Sequence, residues 1–571
     1  MTVKELLASL VAAALDDAVA SGDITLPEIP QIEMERPREA SHGDWATNLA
    51  MKSAKAASMP PRAIAEAIAR RMTGHPDVAA VEVAGPGFIN IRLSDSALQR
   101  LVTEVRDTGT DYGRVDLGHG RRVQVEFVSA NPVGPMHVGH GRWAALGDSM
   151  ARVLAHAGWD VQREFYVNDA GVQMDTFAKS VSARYLELCG GTPDFEADWY
   201  QGAYITEIAR EIFDEEGMCW LDATPSARET YFREKAYMQV LEHLKHVLHG
   251  MGCDFDVWFS ERTLHELGED GLSEVDRAIA TLRNAGYIYE ADGATWFAST
   301  KLTEWGDDKD RVLRKADGDL TYFAADIAYH EDKFERGFDR VINIWGADHH
   351  GYVARMKAAV AALGHPGQLD IVIGQLVTLL RNGEVVRMSK RTGEMVTFEE
   401  LLDEVGADAA RYFFLRRSTD QPLDFDIGLA KEQSAENPVY YVQYAHARIC
   451  SILRKGAGTP DAVEPVADTA ARLTAGGADL TLLADPAELT LLRKLAELSE
   501  VVEDAADALA PHKLTRYAED LAASFHQFYT QCHVLDDDPA LRAARLQLVD
   551  ASRIVLATVL SLIGVSAPER M

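Results

Sequence analysis

The sequence predicts an α/β chain built around a parallel sheet, with an α+β unit ahead of that sheet and an all-α helical bundle behind it. Three observations carry the expectation. "RRVQVEFVS" from 121, a helical stretch from 138 and "WDVQREFYV" from 159 form one strand–helix–strand unit, the crossover that parallel neighbours require. Residues 1 to about 110 alternate amphipathic helical stretches with short strand-like runs. From about 431 onward the pattern is almost unbroken helix. At roughly 100–200 residues per domain, a chain of 571 residues accommodates three to five domains.

The elements follow in order. "MTVKELLASLVAAALDDAVASGD" is apolar in part, but Glu5, Asp16 and Asp17 flank the apolar run and no basic segment precedes it. It reads as an amphipathic helix, not a signal peptide. "PPRAIAEAIARRM" is a second helix, and "AAVEVAGPGFINIRLS" is strand-like on both sides of a "GPG" turn at 85–87. In "VGHGRWAALGDSMARVLAHAG", Trp143, Leu146, Met150, Val153 and Leu154 share one helical face and Gly158 stops the helix. Residues 175 to about 265 read as a mostly helical insertion. Strand-like runs return at "ATWFAS", "RVINIW" and "LDIVIGQLVTLL", implying further crossovers. "GAGTPDAVEPVADTAARLTAGG" is an exposed connection within the later helices. The resulting division is 1–110, 111–370 with the insertion, 371–430 as a connecting region, and 431–571.

Composition narrows the class. With 47% hydrophobic and 26% charged residues, the chain is an ordinary globular one, and no run of 18 apolar residues predicts a membrane span. Cys189, Cys219, Cys253, Cys450 and Cys532 form no CxxC pair, which argues against a zinc ribbon or disulfide framework and fits a reducing cytoplasm. The net charge of −32 does not attract nucleic acid through the overall field, so contact with RNA needs local basic clusters.

Chemistry concentrates in "VEFVSANPVGPMHVGHGRWAALGDSM", residues 125–150. His137 and His140 stand three apart at a helix entrance, on the same side of its first turn. Unsatisfied N–H groups and the helix dipole favour phosphate there, and Gly139 leaves room for a flat base against the backbone. Alone, the pair also reads as capping or packing histidines; zinc lacks a third ligand at the usual spacing. "VRMSKR", with Arg387, Met388, Ser389, Lys390 and Arg391, reads alone as a basic surface turn. Asp348, His349 and His350 in "IWGADHHGY" could suggest a metal, but neighbours on one turn point apart.

Together these motifs change the reading. "HVGH" after a strand resembles the first signature of the class I aminoacyl-tRNA synthetases, and "EFVSANPVGPMHVGHGRWAALGD" resembles the arginyl-tRNA synthetases, with matching motifs from about residue 40 to the C-terminus. The resemblance implies a Rossmann-like catalytic domain, an N-terminal domain that meets the tRNA elbow and a C-terminal helical anticodon-binding domain. It makes "RMSKR" the mobile second signature, where Lys390 matches the second lysine while Arg387 and Arg391 replace a lysine and a serine. Relatives that lose this second lysine carry a compensating one before the first signature; that position here is Gly134.

The resemblance also implies the site. His137, His140 and Lys390 would be catalytic; Gly139, Gly346, Asp348, His350, Arg387, Met388 and Ser389 would bind ATP. Glu126, Asn131, Tyr322 and Asp326 would bind arginine, since a planar guanidinium suits carboxylates beside an aromatic ring. For each acid alone a solvated carboxylate or an internal ion pair is the competing reading, a weaker one for Glu126, since a charge on a strand leading into the phosphate loop needs a partner if buried. The implied ligands are ATP with Mg2+, L-arginine and the tRNA for arginine, with no tightly bound metal or organic cofactor. A cytoplasmic monomer that needs tRNA for activation is expected. Arg416, Arg417, Tyr440, Tyr441, Tyr444 and Arg448, and Lys52, Lys55, Arg70 and Arg71, are candidate RNA contacts. Two rivals are a synthetase of cysteinyl or methionyl type and a non-catalytic RNA-binding paralogue.

Overall fold

The computed structural model describes residues 2–37, 39–193, 195–386 and 396–571. At its centre lies a five-stranded parallel sheet of β1 (Arg122–Glu126), β2 (Asp160–Val167), β3 (Val257–Ser260), β4 (Arg340–Gly346) and β5 (Leu369–Gly374). Their order is β5–β4–β1–β2–β3. The chain grows from β1 towards β3, then returns to add β4 and β5 on the other side. The reversal falls between β1 and β4, and a crevice at the carboxyl ends of such strands is where an open α/β sheet binds ligands. Val123, Val125, Val341 and Ile342 are fully buried, as expected of strands covered on both faces.

The helix after β1 spans Val138–His156, with Leu146, Met150, Val153 and Leu154 buried as the sequence pattern requires. Gly158, at φ +83°, turns the chain into β2. Helices Val172–Leu188, Ala203–Glu216 and Pro225–Gly250 form the insertion between β2 and β3.

Three expectations need correction. The segment 456–477, read as an exposed connection, contains helix Val466–Thr474, with Val466 and Ala470 buried. "ATWFAS" does not enter the parallel sheet: Ala294–Phe297 is the middle of a separate antiparallel sheet with Ile288–Ala291 and Arg311–Arg314. Short connections make that local hairpin pairing accessible without a crossover. "LDIVIGQLVTLL" is two strands; the chain leaves the parallel sheet at Gly374, and Val377–Arg381 pairs instead with Glu384–Val385 and Leu423–Asp426.

Ahead of this core, Trp45–Thr47, Val78–Ala84 and Phe88–Leu93 form an antiparallel sheet backed by helices Val3–Ala20 and Pro61–Met72. The expected turn lies at Gly85 and Gly87, both at positive φ. Behind the core, helices Pro438–Gly456, Pro486–Ala496, Leu498–Asp507, His512–Gln531 and Pro539–Leu562 make the bundle. Arg36 pairs with Glu500 at 2.6 Å and Arg493 with Asp44 at 2.8 Å, tying the N-terminal unit to the bundle. Among the described residues no helix is long and apolar enough to cross a membrane.

Candidate active site

The start of helix Val138–His156 is capped by its own histidines. His137 is the N-cap residue, and its Nδ1 accepts the His140 backbone N–H at 3.3 Å. In return, the His140 Nδ1 accepts the His137 backbone N–H at 3.2 Å. Capping and anion binding are therefore not rival roles. A neutral imidazole that accepts at Nδ1 carries its hydrogen on Nε2, so both rings become Nε2 donors. The rings stack with centroids 3.6 Å apart, and Trp143 meets them edge-on at 5.9 and 5.3 Å. A Cβ at Gly139 would lie 2.9 Å from the His137 ring, so the missing side chain also admits the imidazole.

The segment beyond the second signature returns to this helix. Thr397 bridges His137, and the Phe398 N–H donates to the Met136 carbonyl at 2.9 Å. The Phe398 ring takes the space where Gly141 would carry a Cβ. Arg387, Met388, Ser389, Lys390 and Arg391 lie outside the described residues. Gly134 faces the Tyr204 ring from the insertion, 2.8–2.9 Å from where a Cβ would stand, and the Tyr204 hydroxyl donates to the Val133 carbonyl at 2.9 Å. A side chain at 134 would therefore have to displace the Tyr204 ring.

The acids gather at the carboxyl edge of the sheet. Glu126 ends β1, is buried, and accepts Lys333 Nζ at 2.6 Å and Ser129 Oγ at 3.0 Å. The competing reading of an internal ion pair therefore holds for Glu126 in this state. The turn behind it is strained, with Val128 at φ +68° and Ser129 at +41°, a conformation costly for a β-branched residue. Asp326 lies one turn into helix Tyr322–Glu335, partly buried, and accepts the Tyr352 hydroxyl. Burial, opposed by the Tyr352 hydrogen bond and reinforced by Glu126 and Glu261, pushes the Asp326 carboxyl up to about 7. Tyr322 starts the same helix and is 65% exposed, at the rim of a cleft that Glu261, His265 and Leu320 also line. Asn131 is exposed and donates to Gln173 at 2.8 Å.

Gly346 ends β4, where Trp143 packs on it, as it also does on Gly374. Asp348 and His350 follow on an exposed 3-10 turn, Ala347–Tyr352, with Asp348 3.5 Å from His349. The sequence reading missed Glu261, buried just past β3, and Tyr352, Lys333 and Trp143. Tyr352 had a local signal, since it closes the "GADHHGY" turn already singled out, and Trp143 had been read only as a face of the helix after the first signature.

Among the candidate RNA contacts, Tyr440 and Tyr444 stack at 6.0 Å, and Arg448 lies over both Tyr444 and Tyr529. Arg71 is held by Asp17 and Asp23, and Lys52 by Glu33, so these two cations are already paired within the N-terminal unit.

The histidine-capped helix start, the buried acids and the switch point of the sheet all fall within the stretch of the chain that matches the class I tRNA synthetases. The family model for the catalytic domain of class I (R) tRNA synthetases matches residues 102–426. The arginyl tRNA synthetase N-terminal domain matches 5–93 and the DALR anticodon binding domain 442–571. An arginine–tRNA ligase of Moorella thermoacetica is 51% identical over 567 residues, covering 98% of each chain. One of Heliobacterium modesticaldum is 50% identical, covering 100% of this chain and 99% of its own. The structure of Thermus thermophilus arginyl-tRNA synthetase superposes with a TM-score of 0.72 at 25% identity, covering 100% of both chains. The chain belongs to the arginyl-tRNA synthetase family.

Proposed function

We propose that the histidine-capped helix start takes the phosphates of ATP and that the acid cluster takes the guanidinium of arginine. The chain is an arginine–tRNA ligase, and its reaction needs both ends of the crevice. The arginine carboxylate attacks the α-phosphorus in line; a new P–O bond forms as the bond to pyrophosphate breaks and pyrophosphate leaves with its electron pair. The Nε2 donors of His137 and His140, with Lys390, meet the charge that grows on the phosphate oxygens. The substrate is ATP with its own Mg2+, and no resident metal is needed. The terminal ribose of the tRNA, through its 2′-hydroxyl, then attacks the arginyl carbonyl and AMP leaves. No covalent enzyme intermediate intervenes, so positioning and electrostatics carry the catalysis.

Gly346, Asp348 and His350 meet the adenosine, with Asp348 on the ribose hydroxyls, while Arg387, Met388 and Ser389 flank the phosphates. Glu126 and Asp326 read the guanidinium beside Tyr322, and Asn131 holds the α-amino or carboxyl end. Residues 1–110 meet the tRNA elbow and 431–571 its anticodon. The working form is a cytoplasmic monomer.

One observation carries this reading: the reciprocal histidine caps and the acids Glu126 and Asp326 belong to elements that meet at the carboxyl edge of one sheet. The test is ATP–pyrophosphate exchange with each of arginine, lysine, methionine and cysteine, with and without tRNA. Exchange driven by arginine and dependent on tRNA is expected. Exchange driven equally by another of these amino acids would refute the assignment.

A further inference from the structure

The two acids assigned to the guanidinium stand on different elements, Glu126 on β1 and Asp326 on helix Tyr322–Glu335. A chain of buried side chains joins them. Lys333 Nζ donates to Glu126 at 2.6 Å and to Asn343 Oδ1 at 3.0 Å. Asn343 Nδ2 meets His330 Nε2 at 2.8 Å, and His330 Nδ1 meets the Asp326 backbone carbonyl at 2.7 Å. Asn343 is the β4 register partner of Glu126. Lys333, Asn343 and His330 are each at most 2% exposed.

The donor sense of this chain is determined throughout. A carbonyl only accepts, so His330 Nδ1 carries the hydrogen and Nε2 accepts from the Asn343 amide. That orientation leaves Asn343 Oδ1 to accept from Lys333, an ammonium with donors only. The imidazole is neutral: burial first, then the Lys333 charge, pushes its pKa down to about 3. Asp326, His330 and Lys333 recur at helical spacing, so one helix face presents both the acid and its supports.

We propose that His330, Asn343 and Lys333 are positioning residues that hold Glu126 and Asp326 at the spacing a guanidinium requires. The proposal rests on the assignment of those acids to arginine. A planar cation bound by two carboxylates tolerates little error in their separation, and a misplacement of about 1 Å can cost about 100-fold. Lys333 holds one oxygen of Glu126 and the Ser129 hydroxyl the other, which fixes the carboxylate's rotation and leaves its remaining lone pairs for the substrate.

His330→Leu, which keeps the volume but neither bond, tests this against His330→Gln, which keeps a donor and an acceptor. The readout is tRNA-dependent pyrophosphate exchange with arginine and ATP varied in turn. For His330→Leu, the arginine KM should rise at least about tenfold with the ATP KM within about twofold, and His330→Gln should recover most of the loss. Should His330→Leu fail to fold, Asn343→Ser breaks the same chain with a smaller side chain and should show the same split. An unchanged arginine KM in the folded variant, or arginine and ATP KM rising together, would overturn the proposal. Asp326→Asn is measured alongside: if it leaves the arginine KM unchanged, the assignment of the acids fails first and the positioning role with it. If Asp326→Asn raises it and the other variants do not, only the positioning role fails.

Discussion

The two ends of the crevice are built on opposite principles. At the phosphate end the donors come from one short stretch, residues 137–140, which caps its own helix. At the arginine end Glu126, Asp326 and Glu261 come from three separate elements, and Glu126 and Asp326 are held by partners still further along the chain. A phosphate is satisfied by a local array of donors, because its charge is spread over several oxygens. A guanidinium needs acceptors at fixed positions in a plane, which only distant elements packed together can supply. Local construction needs one helix start; long-range construction demands a finished core.

Substitutions can break this contrast. The largest effect belongs to Lys390→Ala, which should lower arginine activation about 10²–10³-fold, the scale for one preorganised donor, with the arginine KM little altered. Stopped-flow or exchange kinetics would show it, and a wild-type rate would remove Lys390 from the phosphate end. Next comes Asp326→Asn, expected to raise the arginine KM about 10–100-fold at pH 8, the scale for a lost hydrogen bond to a charged group. Its ATP KM should stay near wild type; a parallel rise in both would mean that the two ends are not separable.

The same contrast explains what the sequence made legible. HVGH and its helix could be read because donors, cap and dipole all lie within one turn, and local spacing encodes them. Tyr322 and Asp326 came from the family resemblance, and spacing added only that they share a helical face. Glu261 and Lys333 had no such signal: each acquires its meaning from β1, β2 and β4, whose neighbours are set by crossovers and not by spacing. The Glu126 partner was anticipated in kind, since a buried strand charge needs one. Its identity, Lys333, lies 207 residues away. The parallel sheet was visible in its first strand–helix–strand unit, whereas "ATWFAS" looked like another member because a short apolar run does not reveal its partners.

Acidity gives a smaller effect and separates the ends further. Asp326 must be ionised to meet a cation, and its carboxyl is pushed up to about 7. The arginine KM should therefore rise as pH falls below 7, approaching tenfold per unit, while the ATP KM does not follow. Stability runs the other way. The folded state binds this proton more tightly than the unfolded one, so the group's contribution to stability falls as pH rises from its ordinary value of 3.8 towards 7. Bound arginine offsets that loss, and its stabilising effect in thermal melts should grow from pH 6 to pH 8. In Asp326→Asn both trends should flatten; persistence of either would place the titrating group elsewhere.

Tyr352→Phe sharpens the comparison most finely. The Tyr352 hydroxyl donates to the Asp326 carboxylate and holds the pKa below what burial alone would give. Without it the carboxyl moves up again, by about one unit if the bond contributes about 1.4 kcal/mol. At pH 7 the ionised fraction then falls from about one half to about one tenth, and the arginine KM rises about fivefold. By pH 9 both proteins are almost fully ionised, and the difference should shrink to less than about twofold. A displaced midpoint with a shared alkaline limit is therefore expected from KM measured between pH 6 and 9. Equal midpoints would mean that Tyr352 only packs, and an offset constant across pH would mean that its hydroxyl touches arginine directly instead of acting through Asp326.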